Sequence, residues 1–374
     1  MPDFWINLKK ISKNTPIIGP KYRKYLISPL DWGLGHATRI IPIIHYLKQL
    51  ECQIWIACSG PTEKVLKESF PDIPFLKLDG YGVKYPDNKR HFGWKIIGQL
   101  PRIISAVIAE HRWLKKNQEI YQWDGVISDN RYGLFHTQLR SVIMTHQVNI
   151  KTGLGGWVNQ IVKWINQYYL NKFDHCWIPD QSGNINLAGE LSHGSIPANA
   201  VYIGPLSRFT DSNASNAGYL LIVLSGPEPQ RSLLEQILSA QLLHYNGNVK
   251  IVRGLPSENI KPENTTSVEW FNHLPAIALQ EMMERSALVI CRSGYTTVMD
   301  LVRIQKKAIL IPTPGQAEQE YLAEYLKEQG IFLSVKQSDF NLQKELEKAA
   351  QFSSGFPSLD YEAYKEVIRK FING

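Results

Sequence analysis

The chain has 374 residues, 44% hydrophobic and 20% charged, a length suited to two domains and a composition that excludes a disordered or fibrous chain. Its formal charge of +7 is unevenly placed: residues 1–204 hold 24 Lys and Arg against 15 Asp and Glu, a balance of +9, and residues 205–374 hold 17 against 19, a balance of −2. An anionic membrane surface or a phosphorylated lipid suits the basic half, whereas no helix-turn-helix, finger or basic-zipper pattern supports a nucleic-acid partner.

The N-terminal segment lacks the apolar stretch of roughly 7–15 residues and the small-residue cleavage site of a signal peptide. Nowhere do about 18 apolar residues run without a break. The expectation is a cytoplasmic protein whose membrane contact, if it has one, is peripheral and at the inner face of the cytoplasmic membrane. Cys52, Cys58, Cys176 and Cys291 form no CxxC pair. The last three lie in or beside apolar strand-length runs and read as reduced core residues.

Strand-length apolar runs alternate with helical stretches, which predicts βαβ units around parallel sheets and an α/β fold. In the first half, "YLISPL", "QIWIACS", "PFLKLD", "GVISD", "VIMTHQ", "HCWIPD" and "VYIGPL" read as strands, with helices over 37–50 and 63–68. "GPLSRFTDSNASNAG", rich in Ser, Asn and Gly, reads as a linker. The second half restarts with "YLLIVLSG", then "NVKIVRG", "TSVEWF", "ALVICRSG", "KAILIP" and "GIFLSV". The predicted domains are 1–204 and 219–374, joined by 205–218, with the last helix able to pack back on the first domain. Two Rossmann-like doubly wound sheets would face a central cleft at their strands' carboxyl ends, where ligands bind.

"SPLDWGLGHATR" follows the first strand. Gly33 and Gly35 let the backbone approach a ligand, and the free amides of a helix start favour anionic groups. A dinucleotide loop needs G-x-G-x-x-G/A and an acidic residue ending the second strand. Thr38 stands in the third glycine's place and "WIACSG" ends without Asp or Glu, which argues against a nicotinamide cofactor. His36 stands where it could take a proton from a hydroxyl near neutral pH, or simply cap the helix. Asp129, Asn130 and Arg131 follow another strand, and His146 and Gln147 the next, all expected on the same cleft rim. Asp129 is the candidate helper of His36, with helix capping the equal alternative.

Two stretches could address a lipid. In "WKIIGQLPRIISAVIAEHRWLKK", Trp94, Ile97, Leu100, Ile104, Val107 and Ile108 recur near helical spacing among Lys95, Arg102, Arg112, Lys115 and Lys116. "GGWVNQIVKWINQYYLNKF" gathers Trp157, Ile161, Trp164, Ile165 and Tyr168 on one side. Such helices suit a membrane interface, and the same pattern suits a core-facing helix.

In "ALVICRSGYTTVMDLVRIQKKAILIPTPGQAEQEYLAEYL", a strand ends at Cys291, and Ser293 and Gly294 open a helix whose amides could hold an anion. Asp300 falls two turns on. The next strand leads to "PTPGQAEQ", where Gln316, Glu318, Gln319 and Glu320 offer the polar groups a sugar needs.

This stretch resembles the donor-binding signature of the family 28 glycosyltransferases, the group of the peptidoglycan N-acetylglucosaminyltransferases and monogalactosyldiacylglycerol synthases, and "GLGHATR" is similar to their N-terminal glycine-rich loop. The resemblance follows the chain in order and is most specific over 269–325. It implies a GT-B fold and an inverting, metal-independent transfer from a nucleotide sugar, usually a UDP-sugar such as UDP-N-acetylglucosamine or UDP-galactose, to a hydroxyl acceptor that can be lipid-linked. No cofactor is implied, since the nucleotide sugar is a substrate. By this likeness Ser293 and Gly294 lie at the diphosphate, Asp300 at the ribose, and Gln319 and Glu320 near the donor sugar, with Gln316 of the same loop a further donor-binding candidate. Glu320 replaces an amide by a carboxylate, which accepts but cannot donate. "LSGPEPQRS" resembles the family's second glycine-rich loop through Gly226, with Pro227 and Pro229 stiffening it and Arg231 offering a charge. His273 and Leu274 stand where the family cradles the base, and Arg253 could reach the cleft or equally be a surface residue. A nucleotide-sugar epimerase or hydrolase on the same fold, and a non-catalytic nucleotide-sugar-binding partner, are the rival readings.

Overall fold

The structure is a computed structural model that describes residues 23–31, 33–82, 98–153, 155–210 and 217–373. Trp94, Lys95 and Ile97 of the first amphipathic stretch, and residues 211–216 of the expected linker, lie outside them.

Two parallel sheets form. The first orders its strands β3-β2-β1-β4-β5-β6-β7, from β1 (Lys24–Pro29), β2 (Gln53–Cys58), β3 (Phe75–Lys77), β4 (Gly125–Asp129), β5 (Arg140–Met144), β6 (His175–Ile178) and β7 (Ala200–Tyr202). The second runs β10-β9-β8-β11-β12-β13, from β8 (Tyr219–Val223), β9 (Val249–Val252), β10 (Val268–Phe271), β11 (Ser286–Cys291), β12 (Ala308–Leu310) and β13 (Leu333–Ser334). Every apolar run read as a strand contains one. The central strands are buried along nearly their whole length, as sheets covered by helices on both faces require. The four cysteines are free thiols, and Cys58, Cys176 and Cys291 are buried.

The helices are α1 (Leu34–Arg39), α2 (Ile41–Gln49), α3 (Gly60–Ser69), α4 (Leu100–Tyr121), α5 (Gly156–Leu170), α6 (Gln230–Leu242), α7 (Ala276–Arg285), α8 (Tyr295–Arg303), α9 (Ala317–Glu328), α10 (Leu342–Gln351) and α11 (Ala363–Asn373). The helix expected over 37–50 is in fact two, broken at Ile40. Pro42 stands in the first turn of α2, where its missing N–H and fixed φ start a helix more easily than they continue one.

In both sheets the strand order reverses beside the first strand, at β1/β4 and β8/β11, and the loops leaving these strands border a crevice. Pro29 at the end of β1 pairs in register with Asp129 at the end of β4. Behind Asp129, Arg131 is fully buried, paired with Glu110 of α4 at 2.8 Å and donating to the carbonyls of Pro29 and Asp79 at 2.9 and 3.0 Å. Glu110 also accepts from Tyr81 Oη and the Gly133 amide, so α4 is tied to the loop that follows the Asp129 strand.

The last helix crosses back to the first sheet. Phe371 of α11 lies 5.8 Å from the Tyr25 ring and 5.4 Å from Trp177, and its carbonyl accepts from Arg140 at 2.8 Å. One apolar cluster runs from Tyr25 and Trp177 through Leu191 and Leu206 to Met299 and Leu322, so both sheets share a core. Phe371→Ala removes a buried ring from this junction and is expected to cost about 3–5 kcal/mol of stability, read as a lowered urea midpoint.

Candidate active site

Asp129 is fully buried, and a bare carboxylate there would be costly. Two side chains of α1 satisfy it. Arg39 Nε donates to Oδ2 at 2.8 Å and Nη2 donates to Oδ1, while His36 Nδ1 lies 3.1 Å from Oδ2. His36 and Arg39 are three residues apart and therefore share a helix face. Their helix starts after Gly33, whose φ of +84° lies in the left-handed region that glycine enters without strain. Burial pushes the Asp129 carboxyl up, but Arg39 and His36 outweigh it and hold the group at about 2. For His36, burial lowers the imidazole, Asp129 raises it and Arg39 lowers it again, leaving it below the ordinary value. A histidine in that state is uncharged at neutral pH and has a ring nitrogen able to accept a proton.

His146 extends the network. Arg39 Nη1 donates to its Nδ1 at 3.1 Å, since a guanidinium only donates. That leaves Nε2 to carry hydrogen toward Glu318 Oε1 at 2.6 Å, and Gln147 Nε2 donates to the other Glu318 oxygen. Glu318 belongs to the first turn of α9, on the second sheet's side of the crevice. Burial raises its carboxyl, and His146 and Arg39 bring it below the usual carboxylate range. The His146 ring also stacks on Tyr295 at 4.3 Å, and Thr296 Oγ1 donates to the Gly35 carbonyl at 3.2 Å. The two halves therefore touch through the glycine-rich loop, the α8 start and the α9 start.

On the second side, Ser293 is buried at the entry to α8, with Oγ donating to the Gln319 carbonyl at 2.8 Å, and Gly294 caps the helix. Gln319 Oε1 accepts from the Thr313 amide and its Nε2 donates to Gln316 Oε1, while Glu320 accepts from the Gly315 amide. These side chains shape their own loop. Asp300 is buried against residues at the start of the linker, accepting from Ser207 Oγ at 2.6 Å and lying 3.4 Å from Arg208 Nε; burial raises its carboxyl despite Arg208. Gly226 has a φ of +99°, and Arg231 is held by Glu228 and Glu235. His273 lines an open cavity of about 350 Å³ with Leu255, Trp270 and Asn272, and Arg253 donates to Asn272 beside it. Across the crevice, Glu68 lies 3.8 Å from His273 Nε2. Leu274 packs against the shared core.

The structure thus brings together His36, Asp129, His146 and Gln147, with Gly35 at the contact. Asn130 is buried next to Asp129 in the left-handed region, its Oδ1 without a hydrogen-bond partner. Arg131, expected on the rim, is instead turned into the first domain, because burial beside Glu110 and three carbonyls claims its donors. Arg39 closes the "GLGHATR" loop, where no role was read for it, and the reach of Glu318 has no motif. The three-residue spacing from His36 is the one signal for Arg39.

Residues 220–364 match the glycosyltransferase family 28 C-terminal domain. Over its second sheet the chain is thus similar to the family 28 glycosyltransferases. Among curated relatives, the UDP-N-acetylglucosamine--N-acetylmuramyl-(pentapeptide) pyrophosphoryl-undecaprenol N-acetylglucosamine transferase of Pasteurella multocida is 23% identical over 85% of this chain and 86% of its own length. The Histophilus somni protein of the same name is 24% identical over 94% of each chain. Of solved structures, spinosyn forosaminyltransferase SpnP superposes with a TM-score of 0.58 at 14% identity, covering 94% of both chains. Acinetobacter baumannii MurG gives 0.53 at 14% identity, covering 94% of this chain and all of that one. These likenesses show the GT-B fold, with the family 28 domain built on the second sheet.

Asp129→Asn leaves the Arg39 guanidinium buried without its counter-charge and is expected to cost about 3–5 kcal/mol. The folded carboxyl titrates below its unfolded value, so its contribution is complete above about pH 4 and disappears as pH falls toward 2. Urea melts across that range should show the loss in wild type and a flatter profile in Asp129→Asn.

Proposed function

We propose that this glycosyltransferase moves a sugar from a nucleotide-diphosphate donor, held by residues 219–374, to a hydroxyl of a lipid-linked acceptor held by residues 1–204. It works at the inner face of the cytoplasmic membrane, inverts the anomeric centre and uses no metal. The observation that carries this reading is the His36–Asp129–Arg39 cluster at the switch point of one sheet, facing the family 28 domain on the other. The relatives' names make UDP-N-acetylglucosamine and a polyprenyl-diphosphate-linked acceptor the first pair to test.

In this mechanism His36 Nδ1, which lies 3.1 Å from Asp129 Oδ2 and 3.0 Å from Arg39 Nη2, keeps its hydrogen on the Asp129 side, which leaves Nε2 as the base. Nε2 takes the acceptor hydroxyl's proton as that oxygen attacks the anomeric carbon and the bond to the diphosphate breaks. Negative charge grows on the leaving diphosphate, and the start of α8, where no side chain caps the amides beside Ser293 and Gly294, is placed to stabilise it. The nucleobase of the donor sits in the cavity that His273 lines. Glu318 reaches across the crevice from the donor side to His146. Glu320 is engaged with the Gly315 amide, so the donor sugar meets a loop whose polar side chains are largely committed.

His36→Ala is expected to lower turnover by about 10²–10⁴-fold while donor affinity, measured by metal-free calorimetry, changes by less than a few-fold. Equal turnover in the two proteins would remove His36 from the mechanism. Sugar released or epimerised without an acceptor would instead favour the hydrolase or epimerase reading.

A further inference from the structure

A second cavity, of about 290 Å³, opens in the first domain and shares no residue with the His36 cluster. Lys151 of the loop after β5, Asn159, Gln160 and Lys163 of α5, and Glu190 and His193 of the 189–195 turn line it. At about 30 Å³ for each liquid water, it has room for one sugar ring or one amino-acid residue.

The lining is polar and oriented. Asn159 Oδ1 accepts from the Thr152 amide at 3.0 Å and from its hydroxyl at 2.7 Å. That fixes which way the carboxamide points and leaves Nδ2 with hydrogens that no described residue accepts. Lys163, four residues on and therefore on the same helix face, has no ion-pair partner among the described residues. Lys151 Nζ lies 2.7 Å from Glu190 Oε2 and 4.0 Å from the ring of Tyr321 on α9 of the facing domain. Two lysines against one glutamate leave the cavity one positive charge in excess. His193 is closed to a ligand, since its ring nitrogens lie 2.7 Å from Ser192 Oγ and 3.1 Å from the Gln181 carbonyl.

We infer that this cavity binds a carboxylate-bearing sugar or amino-acid residue of the acceptor, remote from the hydroxyl that reacts, with Lys163 Nζ and Asn159 Nδ2 donating to the carboxylate. A single excess positive charge matches a monoanion. A phosphate monoester carries about −1.5 to −2 near neutral pH and would meet Glu190 with that larger charge. Position points to the acceptor: every lining residue belongs to the first domain, and Lys151 continues the strand-end loop that carries His146 and Gln147. Asn149, which also lines the cavity, stands three residues after His146, so their Cα atoms are at most about 11 Å apart. His146 in turn shares the Arg39 guanidinium with His36, close enough for one headgroup to touch both places. The cavity wall is also part of the seam between the domains, because the Glu190 amide donates to Tyr321 Oη at 2.7 Å. That the occupant belongs to the acceptor rests on the preceding functional reading; the carboxylate site itself is read from the cavity's donors and charge.

The test is an NMR titration of the full chain with D-glucuronate, D-glucose and inorganic phosphate, alongside metal-free UDP calorimetry. Transfer from UDP-N-acetylglucosamine to the polyprenyl-diphosphate-linked N-acetylmuramyl pentapeptide, whose peptide carries carboxylates, is measured in parallel. Glucuronate is expected to bind, with glucose and phosphate at least about tenfold weaker. Lys163→Gln should weaken glucuronate by about tenfold and Lys163→Glu should abolish its binding, with circular dichroism and UDP affinity as in wild type. In the transfer assay Lys163→Gln should raise the acceptor KM by a similar factor with little change in kcat, and glucuronate should compete with the acceptor and not with the UDP-sugar. Equal affinity for glucuronate and glucose, glucuronate binding that survives Lys163→Glu, or phosphate binding more tightly than glucuronate would overturn the inference. Glucuronate binding with an acceptor KM that Lys163→Gln leaves in place would overturn the assignment to the acceptor and make the site one for a free carboxylate. Absence of UDP binding or of transfer with glucuronate binding intact would count against the functional reading and leave the carboxylate site standing.

Discussion

A carboxylate buried at the end of β4 constrains everything around the crevice. Asp129 cannot sit there uncompensated, and the α1 helix that follows the neighbouring strand supplies both compensating groups, Arg39 and His36. The sharing is unequal. Arg39 grips the carboxylate with two nitrogens, which leaves less of its charge to stabilise a protonated His36, and the guanidinium itself repels a second cation. A histidine beside an aspartate alone would be drawn toward its charged form; burial, and after it the guanidinium, keep this one neutral.

The same arginine carries the arrangement across the crevice. Arg39 fixes which nitrogen of His146 accepts, so the other can donate to Glu318 of the facing domain. A chain of hydrogen bonds therefore runs from a strand end of one sheet to a helix start of the other. The Gly35–Thr296 contact and the return of α11 to Tyr25 and Trp177 hold the two sheets at this spacing. Packing and polar contacts thus support one geometry, with the family 28 domain presenting its helix start opposite the histidine.

Much of this was legible in the sequence. Strand-length apolar runs among helical stretches were enough to place the strands, because a buried parallel strand must be apolar nearly throughout. His36 and Asp129 could be paired because both follow strands whose ends meet at a switch point. Arg131 was placed wrongly on the rim, since nothing local distinguishes an arginine facing solvent from one whose donors are used by Glu110, 21 residues away, and by three carbonyls. The contact of Asp300 with Ser207 and that of Glu318 with His146 span 93 and 172 residues, and such long-range pairing leaves no periodic trace. The exposure of Trp157 and Trp164 was equally hidden, because amphipathic spacing reads the same whether the apolar side meets a core or a membrane.

Burial and the Arg39 guanidinium together outweigh Asp129 and keep His36 neutral. The most direct measurement is a proton NMR titration of the His36 ring, assigned with His36→Gln, in wild type and in Arg39→Gln. The expected wild-type midpoint lies below the usual value of about 6.5, and that of Arg39→Gln lies higher, where a cation is lost and Asp129 is free to favour the imidazolium. A wild-type midpoint at or above the usual value, or one that Arg39→Gln leaves in place, would contradict it.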